Sequence, residues 1–311
     1  MIHLMKKIRK LLHQNVLAKR SDKTGSVSFL NNLMKNYQLN NLKNQSPQEF
    51  RERINRFLGM VDWQMEGFKE AERQRDLSIK FHWGHNHDFG DFYLKGRMGE
   101  RHIDLLATFI DKFRILPKSL SGLKVLDIGC WTGGTSLLLA AMGANVVAID
   151  EVKKYIEALN YLRFAFDIKN LEIRHLSLYD IPPDFYDQFD YVLFAGVLYH
   201  VTDPIIACRI TFNCLKRGGY LLLETMAVNS TKRILSYEGP SVFGGGSAKD
   251  LSRSGWNWFV PSPSTLTQML KDVGYTEVKV GEVRNGRLFA VAKKEKHMDI
   301  MRGGLSVRTI Q

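Results

Sequence analysis

From Leu123 onward, short apolar segments alternate with longer segments of helical periodicity. The predicted strands are 124–128, 145–149, 171–176, 191–197 and 220–224. The predicted helices between them are 135–142, 153–166 and 204–215. Strands that alternate with helices usually run parallel, because each crossover helix returns the chain to the same end of the sheet. The alternation therefore predicts an open, doubly wound, Rossmann-like α/β sheet.

The C-terminal part of this pattern departs from simple alternation. A predicted helix at 265–273 ends at Gly274, a residue type that often terminates helices. Two predicted strands, 277–283 and 287–292, follow it and are separated by Asn285-Gly286. That dipeptide favours the two-residue turn of a β-hairpin. The sheet is therefore predicted to finish with a C-terminal antiparallel hairpin.

The N-terminal third has a different character. Its beginning is predicted to be a helical extension, because apolar residues recur every three or four positions and Ser46, Pro47 and Glu49 form a capping-box sequence. The next segment is rich in aromatic residues, histidine and glycine, and ends in a predicted linker helix at 103–113. The expected parts of the chain are a helical extension at 1–75, a lid and linker at 76–118, the α/β domain at 119–294 and a basic tail at 295–311.

Positive charge is concentrated at the two ends of the chain. The formal net charge is +12, and residues 1–24 alone carry seven basic side chains against one acidic side chain. Basic segments of this kind bind RNA or anionic lipid, or they are simply solvated tails. The sequence leaves these alternatives open.

Composition and cysteine usage indicate the compartment. No apolar run reaches the length of a membrane span, and lysine and arginine interrupt the apolar residues near the N-terminus. The three cysteines, Cys130, Cys208 and Cys214, are odd in number and widely spaced, which is typical of a reducing compartment. We therefore expect a cytoplasmic protein without integral membrane contact.

A glycine-containing turn lies between the first predicted strand and the helix that follows it. Gly129 and Gly133 allow close backbone approach to a ligand, which in open α/β sheets binds outside the carboxyl ends of the strands. Asp150 ends the next strand, where a carboxylate can accept hydrogen bonds from both hydroxyls of a ribose. The G-x-G-x-x-G and G-x-x-x-x-G-K-[ST] patterns are absent, which disfavours a nicotinamide oxidoreductase and a nucleotide triphosphatase.

These motifs, in this order, resemble the class I S-adenosylmethionine-dependent methyltransferases over about residues 119–294. The family's glycine turn is matched at Asp127, Gly129 and Gly133, whereas Trp131 occupies the position of its middle glycine. Three further segments match the subgroup of tRNA wobble-uridine (5-methoxyuridine and 5-carboxymethoxyuridine) methyltransferases, namely FAGVLYHVTDP at 194–204, LLET at 222–225 and NWFVP at 257–261.

The resemblance implies S-adenosyl-L-methionine as the cofactor. The residues it implies for cofactor binding are Asp127, Gly129, Trp131, Gly133, Asp150, Ser177, Leu178 and Asp180. Ser177 stands where the family often has an acid for the adenine amine, and Asp180 three positions later is the other candidate. Asp127 and Asp180 have an alternative interpretation as caps of a turn or helix.

Catalytic and acceptor residues are expected on both sides of this site. Tyr199 and His200 follow the fourth predicted strand, and an imidazole titrates near neutral pH, so His200 is a candidate base or a structural histidine. The candidate acceptor-binding residues are His82, Trp83, His85, Trp256 and Trp258. Trp83, Phe89 and Phe92 are expected to pack as a lid, or alternatively as ordinary core. The histidines of residues 82–87 lack a recognisable metal-site spacing, so no metal is expected.

The predicted function is transfer of a methyl group from S-adenosylmethionine to an O, N or C nucleophile of a small-molecule acceptor. The alternatives are a tRNA wobble-uridine methyltransferase or carboxymethyltransferase, which the basic ends favour, and a non-catalytic cofactor-binding adaptor. The identity of the acceptor and the oligomeric state do not follow from the sequence.

Overall fold

The computed structural model describes residues 25–59, 81–238 and 257–296. In chain order the strands are β1 (His87–Asp88), β2 (Tyr93–Leu94), β3 (Lys124–Ile128), β4 (Asn145–Asp150), β5 (Leu171–His175), β6 (Phe189–Ala195), β7 (Leu215–Met226), β8 (Leu235–Tyr237), β9 (Phe259–Pro261), β10 (Thr276–Val280) and β11 (Arg287–Lys293). The α-helices are α1 (Gly25–Met34), α2 (Pro47–Gly59), α3 (Arg101–Ala107), α4 (Gly134–Ala141), α5 (Lys153–Ala165), α6 (Pro204–Cys214) and α7 (Pro263–Val273).

Seven strands form the central sheet in the order β10-β11-β7-β6-β3-β4-β5. The strands from β3 to β7 pair in parallel, and β11 is antiparallel to both of its neighbours. This arrangement confirms the predicted doubly wound sheet with a C-terminal antiparallel hairpin. The strand order reverses between β3 and β6, and such a switch point opens a crevice at the carboxyl ends of the strands.

Both faces of the sheet are covered, as expected for parallel strands. Val125 and Tyr191 pair across β3 and β6 and belong to the core shared with α1, α2, α4 and α5. Leu126 and Val192, the next pair along the same strands, point to the opposite face and pack with α6 and α7. Alternation of side chains along each strand therefore supplies two apolar layers from one continuous apolar segment.

The hairpin turn has the predicted geometry. Asn285 and Gly286 both have positive φ angles, 50° and 72°, and the backbone groups of Arg284 and Arg287 exchange two hydrogen bonds of 2.9 Å. Positive φ at both central positions is the requirement of a type I′ turn, which Asn-Gly meets with little strain.

Strand β7 begins five residues earlier than predicted. The strand continues through Gly218 and Gly219, which precede the predicted start at 220. The Gly218 amide donates to the Lys294 carbonyl at 2.6 Å, and the Lys294 amide donates to the Gly219 carbonyl at 2.9 Å. The buried Lys294 ammonium also donates to Asp187 and to the Leu215 carbonyl. These contacts keep both glycines within the strand, although Gly218 has a positive φ of 87°.

The helical extension packs directly on the α/β part. The Tyr37 hydroxyl donates to the Leu137 carbonyl of α4 at 2.7 Å, and the Phe50 ring of α2 contacts Phe166 after α5. The predicted capping box is present, because the Ser46 amide donates to the Glu49 carboxylate at 2.8 Å. Residues 1–24 and 60–75 of the predicted extension lie outside the described residues. Within the described ranges, no helix has the length and apolar character needed to cross a bilayer.

The predicted linker helix at 103–113 is divided in the structure. Helix α3 covers its first part, and a π-helical turn, Thr108–Lys112, follows directly. The amino-terminal residue of α3, Arg101, points towards the carboxyl ends of the sheet strands, where it contacts Glu224 of β7. The segment before the sheet thus contributes side chains to the same edge as the strands.

Candidate functional site

The glycine turn between β3 and α4 is closely packed. Gly129 has a φ of 74°, and a Cβ atom there would lie 2.4 Å from Val197 Cγ2. Gly133 has a φ of 81°, and its Cβ would lie 2.1 Å from Leu159 Cδ1. Both positions therefore require glycine for conformation and for space.

Trp131 has a left-handed backbone conformation, with a φ of 53°. Its amide donates to Asp150 Oδ2 at 2.9 Å, which ties the turn to the end of β4. Its indole makes edge contacts with His85 and Tyr155, with ring centroids 5.9 and 6.0 Å away. The indole Nε1 is buried and has no hydrogen-bond partner among the described residues. The side chain thus forms a wall of the turn.

Asp150 holds two loops together through its carboxylate. Oδ1 accepts a hydrogen bond from the Val152 amide and Oδ2 accepts one from the Trp131 amide, each at 2.9 Å. Asp150 is buried at the carboxyl end of β4. Asp150 also lines the cavity described below, where a carboxylate oxygen can accept hydrogen bonds from ligand hydroxyls.

Asp127 is a second buried carboxyl group at the base of the turn. The hydroxyls of Thr135 and Ser136 donate to its Oδ2 at 2.9 and 2.6 Å. Burial raises the pKa of Asp127 to about 6, although the two hydroxyl groups oppose the shift. Asp127 is therefore tied to two side chains in the first turn of α4, although it does not cap this helix, whose N-cap residue is Gly133.

A cavity of about 720 Å³ opens beside the turn, along the carboxyl ends of β3, β4, β6 and β7. It brings together ten of the residues singled out from the sequence. They are His85, Asp127, Gly129, Trp131, Asp150, Ser177, Leu178, Tyr199, His200 and Trp258.

Four other predicted residues do not line this cavity. Gly133 faces Leu159 instead. Asp180 is exposed at the end of a 3₁₀ helix whose first turn is capped by Ser177, so Ser177 and not Asp180 faces the cavity. His82 and Trp83 are the remaining two, and Trp256 lies outside the described residues.

The expected aromatic lid is corrected by the structure. Trp83 is almost fully buried against Phe81, and Phe89 is fully buried between His87 and the Phe50 ring of α2. These rings fill the space between the helical extension and the sheet, because large aromatic side chains gain most from burial. Of the three acceptor-binding residues predicted in this segment, His82, Trp83 and His85, His85 lines the cavity.

His85 sits in an environment that disfavours its charged form. Its ring lies 4.7 Å from that of His102, and its Nδ1 is buried without a hydrogen-bond partner in the described part of the chain. Burial, assisted by the positive charge of Arg101, lowers the pKa of His85 to about 4. His85 is therefore a neutral imidazole at physiological pH. No group of three metal-ligating side chains occurs within residues 25–59, 81–238 and 257–296.

Tyr199 and His200 lie on a 3₁₀ helix directly after β6. Their rings are adjacent, with centroids 4.1 Å apart. The Tyr199 carbonyl accepts a hydrogen bond of 2.8 Å from the Trp258 amide, which brings the segment before β9 to the mouth of the cavity. The two predicted catalytic residues and Trp258 therefore share one wall.

Several charged residues of the cavity were missed in the sequence, and three of them, Arg101, Glu224 and Arg287, contact one another. Glu224 of β7 is only 2% exposed, and its Oε2 accepts a hydrogen bond of 2.6 Å from Arg287 Nη2, while its Oε1 accepts one of 2.6 Å from Arg101 Nη2. Burial disfavours the charged form of Arg287, but its hydrogen bonds with Glu224 outweigh this effect and raise the pKa of Arg287 above its usual value. A carboxylate within the apolar segment LLLET was the available signal.

In sequence, the chain is similar to curated methyltransferases. Over 174 residues the chain is 34% identical to the mitochondrial ubiquinone biosynthesis O-methyltransferase of Bos taurus, covering 54% of this chain and 45% of that protein. Over 167 residues it is 32% identical to the tRNA U34 carboxymethyltransferase of Methylococcus capsulatus, covering 53% and 48%. The chain thus spans about half the length of these relatives.

A solved structure and a family match agree with this result. The N-terminal domain of EvdMO1, crystallised with SAH and D-fucose, superposes with a TM-score of 0.53 at 18% identity, covering 80% of this chain and 97% of that chain. This likeness shows a shared fold. Residues 98–280 match the family described as the methyltransferase domain. The chain therefore belongs to the methyltransferase domain family, within the class I S-adenosylmethionine-dependent methyltransferases.

Proposed function

We propose that this chain transfers a methyl group from S-adenosylmethionine to an O, N or C nucleophile of a small-molecule acceptor. The observation that carries the proposal is the buried Asp150 carboxylate, held at the end of β4 by the Trp131 and Val152 amides and open to the cavity. When bound, S-adenosylmethionine supplies an electrophilic methyl group on a sulfonium centre.

The residues around the turn fit such a cofactor. Asp150 would accept the ribose hydroxyls, and Ser177 and Leu178 would line the adenine end of the cavity. Asp127 would face the ammonium group, whose positive charge favours the ionised form of a carboxyl group with a raised pKa. Trp131 would close the methionine end, where its unpartnered indole N–H is a donor for a polar ligand atom.

Residues on the far side of the cavity would handle the acceptor. Tyr199 and His200 lie at the end of β6, and His200 would remove a proton from an acceptor hydroxyl. His85 would contribute a neutral ring nitrogen as a hydrogen-bond acceptor. Trp258, Met98 and Met226 would exclude water from the acceptor. Transfer needs only alignment of the nucleophile with the methyl group, so no covalent enzyme intermediate is involved.

The size of the cavity supports a small acceptor. Its volume of about 720 Å³ falls within the range of roughly 300–1,000 Å³ that is common for small-molecule sites. The three cysteines are unpaired and buried, which supports the expectation of a reducing, cytoplasmic location.

A tRNA acceptor is the second candidate, and the relatives named as tRNA U34 carboxymethyltransferases favour it. Phosphate contacts of basic segments dominate nucleic-acid affinity, and residues 1–24, with seven basic side chains and one acidic side chain, carry half of the net charge of +12. If tRNA is the acceptor, removal of this segment weakens tRNA binding and flattens its salt dependence.

Methyl transfer from tritiated S-adenosylmethionine distinguishes the two candidates. The full chain and a variant lacking residues 1–24 are incubated with a low-molecular-weight cell extract and, separately, with total tRNA. We expect label in the small-molecule fraction at similar rates for both proteins. Label confined to tRNA, and lost on truncation while S-adenosylhomocysteine binding is retained, would replace the proposal with the tRNA alternative.

A further inference from the structure

A charged cluster lies in the cavity away from the glycine turn. It consists of Arg101 at the start of α3, Glu224 near the end of β7 and Arg287 at the start of β11. All three line the cavity. One carboxylate faces two guanidinium groups, so this Arg101–Glu224–Arg287 cluster carries a net positive charge inside a partly closed site.

The hydrogen bonds within the cluster are unequal. Arg287 forms a fork with both oxygens of Glu224, through Nε to Oε1 and Nη2 to Oε2. Arg101 reaches the same carboxylate with Nη2 alone, at 2.6 Å from Oε1. Since the Arg287 fork already neutralises Glu224, Arg101 adds a second cation that the cluster itself does not balance.

Structural stability alone gives little reason for this second cation. Buried ion pairs contribute little net stability, because desolvation of the charges offsets their attraction. The Arg101 side chain is 30% exposed, and part of that exposure faces the cavity. The positive charge of Arg101 also acts on its surroundings, since it contributes to the lowered pKa of His85. The positive charge of Arg101 therefore acts on other residues of the cavity, although its guanidinium group is hydrogen-bonded to Glu224.

The walls next to the cluster are apolar and aromatic. The Arg287 guanidinium lies 4.8 Å from the centre of the Tyr199 ring, and Leu105, Met226 and Trp258 complete the lining on this side. A ligand that fills this region would place an apolar body against these side chains and an anionic group against the arginines.

We propose that the acceptor carries a carboxylate or phosphate group that Arg101 binds, with Arg287 as the second cation and Glu224 fixing both guanidinium groups. This inference rests on the proposed function, because it names the class of acceptor for that same methyl transfer. An anionic group placed against Arg101 and Arg287 offsets the positive charge that Glu224 leaves unbalanced within the cluster. The anionic group would also orient the nucleophile, since arginine binds such groups with defined geometry.

Binding of defined anions to the S-adenosylhomocysteine complex tests this proposal. The probes are benzoate and phenyl phosphate, each compared with neutral benzamide by isothermal titration calorimetry. We expect at least one anion to bind about tenfold or more tightly than benzamide, the factor typical of a charge-assisted hydrogen bond. In R101Q this preference falls to about threefold or less, and R101K restores part of it, because lysine keeps the positive charge but lacks the planar set of N–H donors of arginine.

A variant of a surface arginine serves as the matched control. Arg284 pairs with Glu282 on the surface and is 73% exposed, so R284Q keeps the preference for anions. If neither anion binds better than benzamide, or if R101Q keeps the full preference, the proposal is wrong.

The alternative source of the anion is the transferred group itself. A carboxylated S-adenosylmethionine that binds more tightly than S-adenosylmethionine in an Arg101-dependent way, without preference for benzoate or phenyl phosphate, would overturn the assignment to the acceptor. Loss of S-adenosylhomocysteine binding by the wild-type protein would instead refute the proposed function. The two failures are thus distinguishable in one set of titrations.

Discussion

Replacing Asp150 with asparagine separates the structural part of the site from its proposed role in binding. The carboxylate accepts two backbone hydrogen bonds of 2.9 Å, from Trp131 and from Val152. Asparagine has the same shape but keeps only one acceptor oxygen. Its amide group would face an N–H donor, so one buried backbone amide loses its partner.

The expected magnitude follows from that lost bond. A hydrogen bond to a charged group contributes roughly 1.5–3 kcal/mol, and for a chain of this size each kcal/mol shifts Tm by roughly 2–4 °C. We therefore expect D150N to unfold roughly 3–12 °C below the wild-type protein without any ligand. Affinity for S-adenosylhomocysteine should fall by about tenfold or more, because the ribose hydroxyls lose a charged acceptor.

Differential scanning calorimetry and titration calorimetry measure the two effects on the same samples. D180N is the matched control, because Asp180 is exposed and does not line the cavity. It should leave both Tm and affinity unchanged. A D150N protein with wild-type Tm and wild-type affinity would refute the reasoning about this carboxylate.

Three further predictions concern other residues of the site and core. W131G should lower the free energy of unfolding by about 1–3 kcal/mol, because lost aromatic packing outweighs the relief of left-handed strain; urea unfolding measures it, and an unchanged stability and cofactor affinity would contradict the role of Trp131. Burial lowers the pKa of His87 to about 3, so the stability that its neutral form contributes is present above pH 6.5 and is lost as pH falls towards 3. Between pH 7 and pH 5 this loss is about 2 kcal/mol, and urea unfolding of H87Q should show a pH dependence smaller by that amount. Because the pKa of Asp127 is about 6, S-adenosylmethionine affinity should weaken below pH 6 in the wild-type protein, and titrations of D127N should show no such dependence.

Much of the fold followed from local patterns. The strands around the cavity, the Asn285-Gly286 turn and the Ser46–Glu49 capping box depend on periodicity and turn chemistry, which act over a few residues. The extent of β7 was underestimated, because Gly218 and Gly219 resemble a turn locally. Backbone hydrogen bonds with Lys294, distant in sequence, keep them in the strand.

The site was predictable where it depends on strand ends and not where it depends on tertiary packing. Asp150 and Trp131 follow strands whose ends must meet at one edge of the sheet. Trp83, in contrast, was indistinguishable in sequence from a cavity residue, because an aromatic cluster has no local signal that separates core from lid. The contact of Arg101 with Glu224 joins positions 123 residues apart, and a single sequence contains no periodicity that relates them.

The proposed activity requires that S-adenosylmethionine binds at the Asp150 end of the cavity. Native mass spectrometry of the purified full chain, mixed with equimolar S-adenosylmethionine and NAD, measures this directly. We expect one S-adenosylmethionine per chain on the wild-type protein and on D180N, and a much smaller bound fraction on D150N. A wild-type protein that binds NAD and no S-adenosylmethionine would contradict the account.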